Sequence, residues 1–240
     1  TMTDSILPME IFLLIGQSNM AGRGPLETVP GLRDPRVYMF RGGGWLPAEE
    51  PLHTDKPEIA GVGLAMSFAI RLLEEWPGRE IGLLPCAVGG TPLSRWMPGA
   101  DLYTAAVATT RSAGAAGSLR GILWHQGEND ANRPEDVASY GRRLREMVAA
   151  LRAGLAAPAV PFIAGELGEF LAEREGCRAG YRAINEQLCA LKHDIPFYAC
   201  ASAAGLSDKG DRLHFDSAAL REFGRRYAAA YLDIAQGIPC

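Results

Sequence analysis

Two short segments carry the chemistry this chain can offer. Ser18 lies in Gly16-Gln17-Ser18-Asn19, directly after the apolar run Ile11–Ile15, and Asp211-Arg-Leu-His214 comes near the other end of the sequence. A serine on a tight turn behind a buried strand is well presented, but its hydroxyl is a weak nucleophile until a neighbouring base takes the proton. His214 has the chemistry to be that base and to pass the proton to a leaving alcohol. Asp211, three positions earlier, can accept the other imidazole N–H in a tight turn and so fix the tautomer. Asp208 and Asp216 are nearby alternatives, and Glu128 is a second candidate orienter from elsewhere in the chain. The plainer role for Ser18 is to cap a helix N-terminus.

Acyl transfer through serine also needs donors aimed at one developing oxyanion. The N–H groups of Ser18 and Gly90 are candidates, the latter in Gly89-Gly90-Thr91, and the Gln126 side chain in His125-Gln126-Gly127-Glu128-Asn129 is a third. Gln17 and Asn19 flank the serine and are candidates to touch substrate. Arg95 and Trp96 follow the glycine pair and suit a sugar, since an indole face packs on a ring and a guanidinium holds hydroxyls or a carboxylate; core packing is the alternative for Trp96, as it is for Trp45. Of the four histidines, His53 in an irregular stretch and His193 at a helix end read as surface residues. His125 reads as a packed histidine and is the one competitor to His214.

The elements that must bring these groups together alternate along the chain. Continuous apolar runs at Ile11–Ile15, Val37–Phe40, Ile81–Cys86, Gly121–Trp124, Pro161–Ala164 and Pro196–Cys200 suit strands buried on both faces of a parallel sheet. Helical patterns over Val62–Glu75, Leu102–Ala113, Pro134–Leu151, Cys177–Lys192 and Ser217–Ala235 lie between and after them, with Pro134 fit for a first helical turn. The alternation implies βαβ units. Each polar segment then follows the carboxyl end of a strand, where an open parallel sheet gathers its ligand site. The Gly- and Pro-rich stretch Arg23–Pro57 is expected to overhang that site.

With 240 residues, one domain spanning 1–240 is expected. A net charge of −4 argues against nucleic acid as the main partner. No apolar run approaches the ~18 residues of a membrane helix. The five cysteines, Cys86, Cys177, Cys189, Cys200 and Cys240, show no metal-ligand spacing and read as reduced thiols, with Cys240 the one expected to be exposed. No cofactor or metal is expected, and oligomeric state is not readable. The N-terminus lacks the pattern of a secretion signal, which gives a cytoplasmic expectation, although the leading Thr leaves a processed signal open.

The ordered blocks GQSNMAG, GGTPLSRW, WHQGE and DRLHFD resemble the SGNH hydrolase superfamily, and within it the sialate O-acetylesterase-like branch that includes acetyl xylan esterases of carbohydrate esterase family 6. The resemblance runs from Ile11 to about Tyr231. It implies a flavodoxin-like three-layer α/β/α sandwich with a central, mainly parallel five-stranded sheet, and metal-independent removal of O-acetyl groups from a small-molecule or oligosaccharide ester. It makes Ser18 the nucleophile, His214 the base, Asp211 its orienter with Glu128 as a possible supporting acid, and Gly90 the oxyanion glycine of the second block. Gln126 stands where the broader superfamily has asparagine, a departure that fits the narrower branch. Competing expectations are a lipid or thioester hydrolase on the same fold, a non-catalytic carbohydrate-binding protein, and a phosphate-binding flavodoxin-like module.

Overall fold

Eight consecutive buried residues, Met9–Gly16, form β1 at the middle of the sheet in a computed structural model of the chain, which describes residues 8–114 and 117–236. Successive side chains on a strand point to opposite faces, so one apolar run supplies two cores. Phe12 and Leu14 enter one, and Ile11, Leu13 and Ile15 enter the other. The first core is closed by α2 (Ala65–Glu75) and α6 (Ser217–Ala235), the second by α3 (Asp101–Ala113), α4 (Pro134–Gly154) and α5 (Tyr181–Ala190). Phe12 meets Phe68 and Tyr231 edge-on at ring centroid distances of 5.0 and 5.2 Å. The result is a flavodoxin-like α/β/α sandwich.

The sheet has seven strands, two more than the five expected. The others are β2 (Val37–Arg41), β3 (Gly44–Pro47), β4 (Ile81–Pro85), β5 (Gly117–His125), β6 (Phe162–Gly165) and β7 (Tyr198–Ala201), in the order β3-β2-β4-β1-β5-β6-β7. All neighbours pair parallel except β2 and β3, which form an antiparallel hairpin at one edge. The hairpin corrects the expectation that Arg23–Pro57 is a single overhanging stretch. Its middle pairs onto the sheet edge, and only its ends, Arg23 and residues 53–56, return to the carboxyl ends of the central strands. Trp45 belongs to this edge, packed edge-on against Phe40 and lying over Gly82.

Helix limits follow local chemistry. Pro134 opens α4, with Glu135 and Asp136 in its first turn and Arg152 in its last, matching the helix dipole. Asp216 caps α6 by accepting from the Ala219 amide at 2.7 Å. The helix expected over Cys177–Lys192 is shorter, because residues before Tyr181 wind as turns where Gly180 passes under the Ala131 carbonyl. Cys240 lies outside the described residues. Among those described, no helix is long and apolar enough to cross a membrane.

Candidate active site

The chain passes from β1 to β2 and then β4 on one side and only later to β5 on the other, so the sheet order reverses beside β1. A crevice opens at such a reversal, outside the carboxyl ends of the strands. Ser18 opens the four-residue helix α1 (Ser18–Ala21) just beyond β1, Gly89-Gly90 follow β4, and Gln126–Asn129 follow β5, which ends at His125. Gly16 makes the exit possible. A Cβ there would lie 2.1 Å from the His125 carbonyl oxygen, so no larger residue fits the backbone crossing.

The loop before α6 reaches this crevice. Its turn is built by two aspartates. Asp208 Oδ2 accepts from the Gly210 and Arg212 amides at 3.0 and 2.6 Å, and Asp211 Oδ1 accepts from the Leu213 and His214 amides at 3.0 and 2.8 Å. Arg212 takes a left-handed conformation, φ 56°, to close it. The second oxygen of Asp211 lies 2.6 Å from His214 Nδ1, and His214 Nε2 lies 3.1 Å from Ser18 Oγ. A carboxylate can only accept, so Nδ1 carries the proton and Nε2 presents its lone pair to the serine hydroxyl. Burial pushes the Asp211 carboxyl up, but the His214 amide and ring together with the Leu213 amide outweigh it and leave it below its usual range. Hydroxyl, imidazole and carboxylate in this line can take a proton from the serine as it attacks and return it to a leaving group.

The other candidate acids are engaged elsewhere. Asp216 caps α6 and accepts from Ser207 Oγ at 2.5 Å. Glu128 is buried, with Oε1 accepting from Asn19 Nδ2 at 2.7 Å and lying 3.4 Å from His125 Nδ1. No hydrogen bond or ion pair joins Glu128 to His214. His125 is packed edge-on between Phe215 and Phe223, with Nε2 3.0 Å from the Glu166 carbonyl oxygen.

The residues beside Ser18 turn inward and do not face solvent as substrate contacts would. Asn19 is 1% exposed and ties three segments: Nδ2 donates to Glu128 and to the Leu213 carbonyl at 3.0 Å, and Oδ1 accepts from the Phe215 amide at 3.1 Å. It therefore holds both neighbours of His214. Gln17 Oε1 accepts from the Asn129 and Gly127 amides at 3.2 and 3.4 Å. Trp96 is 1% exposed, edge-on to Trp124, with Nε1 donating to Thr91 Oγ1 at 3.1 Å, so it packs the core. Arg95 stays exposed in an ion pair with Asp101 at 2.6 Å.

Among the oxyanion candidates, the Ser18 and Gly90 amides donate to no group of the described residues. Gln126 differs. It is fully buried, and its Nε2 spends both hydrogens on Asp130 Oδ2 at 2.6 Å and the Thr91 carbonyl at 3.1 Å. Tyr140 Oη lies 2.7 and 3.0 Å from its two oxygens, and burial holds that phenol well above its ordinary range, so it remains a donor. The exposed amide at this strand end belongs to Asn129, whose Nδ2 donates to the Gly90 carbonyl at 3.0 Å. The sequence reading passed over Asn129; its signal was its place in the polar run after β5.

Another group missed from sequence lies behind the glycine turn. Asp55 Oδ2 accepts from the Gly89 amide at 2.7 Å and from the buried Arg23 guanidinium at 2.5 Å, while Arg23 Nη1 donates to the Gly22 carbonyl at 2.9 Å. His53, expected at the surface, is buried beside this pair, and burial pushes its imidazole down to about 4.

A serine on the turn at the reversal point of a parallel sheet, hydrogen-bonded to a histidine from the last loop, fits a carboxylic ester hydrolase, the class to which the family comparison assigns the chain. The chain belongs to the family described as "Carbohydrate esterase, sialic acid-specific acetylesterase", which it matches over residues 8–233. It is 34% identical to a probable carbohydrate esterase of Arabidopsis thaliana, across 95% of this chain and 92% of that one. The crystal structure of that Arabidopsis thaliana protein superimposes with a TM-score of 0.85, covering 94% of this chain and 98% of that one at 31% identity. The fold is also that of NanS (TM-score 0.79, 22% identity, 97% and 100% covered) and of a carbohydrate acetylesterase from Xanthomonas citri (TM-score 0.71, 19% identity, 96% and 57% covered).

Proposed function

We propose that this enzyme removes O-acetyl groups from carbohydrates, acidic sugars among them, through an acyl-enzyme formed on Ser18. The observation that carries the reading is the unbroken line Ser18 Oγ–His214 Nε2–Asp211, with contacts of 3.1 and 2.6 Å. His214 takes the Ser18 proton as the hydroxyl attacks the acetyl carbonyl. The tetrahedral oxyanion is met by the uncommitted Ser18 and Gly90 amides. Asn129, and not Gln126, supplies the third donor, since one hydrogen of its exposed amide remains free beside Gly90. His214 then protonates the departing sugar hydroxyl. A water attacks the acetyl-serine through the same base, and acetate leaves. The family description and the Arabidopsis thaliana relative support a carbohydrate alcohol as leaving group.

The test is hydrolysis of p-nitrophenyl acetate and of O-acetylated sugars, sialic acids included, by wild type and Ser18→Ala. Acetate release from both substrate types is expected, with kcat reduced roughly a thousandfold or more in the variant. Retained turnover in Ser18→Ala, or no acetate from any acetylated sugar, would overturn the proposal.

A further inference from the structure

We infer that Asp55 is a positioning residue for ester hydrolysis: through the Gly89 amide it fixes the turn that presents the Gly90 N–H to the oxyanion. The inference rests on the proposed acyl transfer at Ser18.

The turn after β4 is held on both sides of Gly90. The Val88 amide donates to the Gly16 carbonyl at 3.0 Å, the Gly89 amide to Asp55 Oδ2 at 2.7 Å, and the Gly90 carbonyl accepts from Asn129 at 3.0 Å. Of the consecutive Val88, Gly89 and Gly90 amides, Gly90 alone has no protein acceptor among the described residues. A donor that must meet a transient charge works only if its direction is fixed in advance. On the amino-terminal side of that donor, the nearest bond is the one made by Asp55.

Asp55 is itself held from the nucleophile's side. Arg23, 3% exposed and five residues beyond Ser18, bonds the Asp55 carboxylate with both terminal nitrogens and the Gly22 carbonyl with one of them. The segment carrying Ser18 and the turn carrying Gly90 are thus clamped to each other through one buried ion pair. Gly89 is shaped for the clamp: a Cβ there would lie 2.5 Å from Arg23 Nη2 and 3.1 Å from Asp55 Oδ2. A buried ion pair is by itself weak support for stability. Here its carboxylate performs a second task, one that a merely structural pair would not need.

The two tasks separate by substitution. Asp55→Asn keeps an oxygen for the Gly89 amide but removes the charge that neutralises Arg23. Asp55→Ala removes both. For hydrolysis of p-nitrophenyl acetate, Asp55→Ala is expected to lower kcat about 30- to 100-fold with KM within about threefold, the split that follows loss of a donor used in the transition state. Asp55→Asn is expected to be rescued to within about fivefold of wild-type kcat, while its melting temperature falls clearly. A folded Asp55→Ala enzyme with near wild-type kcat overturns the inference, as does KM rising in step with the loss of kcat. If Asp55→Ala does not fold, Asp55→Asn decides alone, and a loss of 30-fold or more in that variant overturns it. Failure of the underlying reading looks different: Ser18→Ala would then retain the activity of wild type, and the inference would fall with it.

Discussion

At the scale of single residues, the same amide chemistry has opposite uses three positions apart. Gln126 is the larger amide and sits at the strand end, yet Asp130 and Thr91 consume both of its hydrogens in the core. Asn129 is exposed and retains a free one. Asn129→Ala is therefore expected to lower kcat about a hundredfold with little change in KM or melting temperature, measured on p-nitrophenyl acetate. A wild-type kcat in that variant would return the third donor to another group. His53 gives a residue-scale prediction of a different kind. Burial pushes its imidazole down to about 4, with Asp55 opposing and Arg23 and Arg41 adding to the shift. The unfolded chain, titrating near 6.5, takes up the proton first as pH falls, so this stability is complete above about 6.5 and drains away toward 4. Between pH 7 and 5 the loss amounts to about 2 kcal/mol, or roughly 5 °C of melting temperature for a chain of this size. His53→Gln should flatten that part of the profile; an unchanged slope between pH 7 and 5 in thermal melts would assign the acid sensitivity to other groups.

At the scale of elements, the site depends on how separate loops are tied, and Asn19 is the knot. It joins α1, the loop after β5 and both neighbours of His214 with one side chain. Asn19→Ala would leave the buried Glu128 carboxylate without its donor and free the loop before α6. A loss of about 2–4 kcal/mol is expected, together with a fall in kcat of tenfold or more, read by chemical denaturation and by turnover. Asn19→Ala with unaltered stability would show that the loop is held by other bonds. Much of this scale was legible beforehand. The run Ile11–Ile15 announced a two-faced strand, the Ser217–Ala235 pattern matches α6 to its ends, and the polar segments were expected at strand termini. The hairpin was not, because Gly44–Pro47 is short and partly exposed and carries no apolar periodicity, although Gly42-Gly43 was a turn signal. The inward turn of Gln17, Asn19 and Trp96 was equally hidden. Side-chain direction near a motif is decided by tertiary partners such as Glu128 and Thr91, which no local pattern names.

At the scale of the whole molecule, the two ends of the sheet are chemically unlike. The amino ends of β4, β5 and β6 open on an apolar cavity of about 400 Å³ lined by Trp76, Leu119, Val160 and Tyr231, and rimmed by Arg79 and Arg120, both paired with the buried Glu10. Ser18 is at the carboxyl ends, on the opposite side of the molecule. There the groups drawn together are polar: Gln17, Asn19, Arg23, Asp55, Glu128, Asn129 and the 208–214 turn. An acyl chain gains about 0.8 kcal/mol for each CH₂ it buries, which favours longer esters only where apolar surface receives them. Beside Ser18 the polar surroundings offer no such gain, and each methylene beyond acetyl must be fitted among groups already hydrogen-bonded to one another. The enzyme should therefore prefer p-nitrophenyl acetate over the octanoate by at least tenfold in kcat/KM. Filling the distant cavity from Ala159, which also lines it, as in Ala159→Leu, should leave that preference unchanged while altering the melting temperature. Equal or better turnover of octanoate would mean that an apolar channel opens at the carboxyl end when substrate binds, and would favour a lipid or thioester substrate over an acetylated sugar.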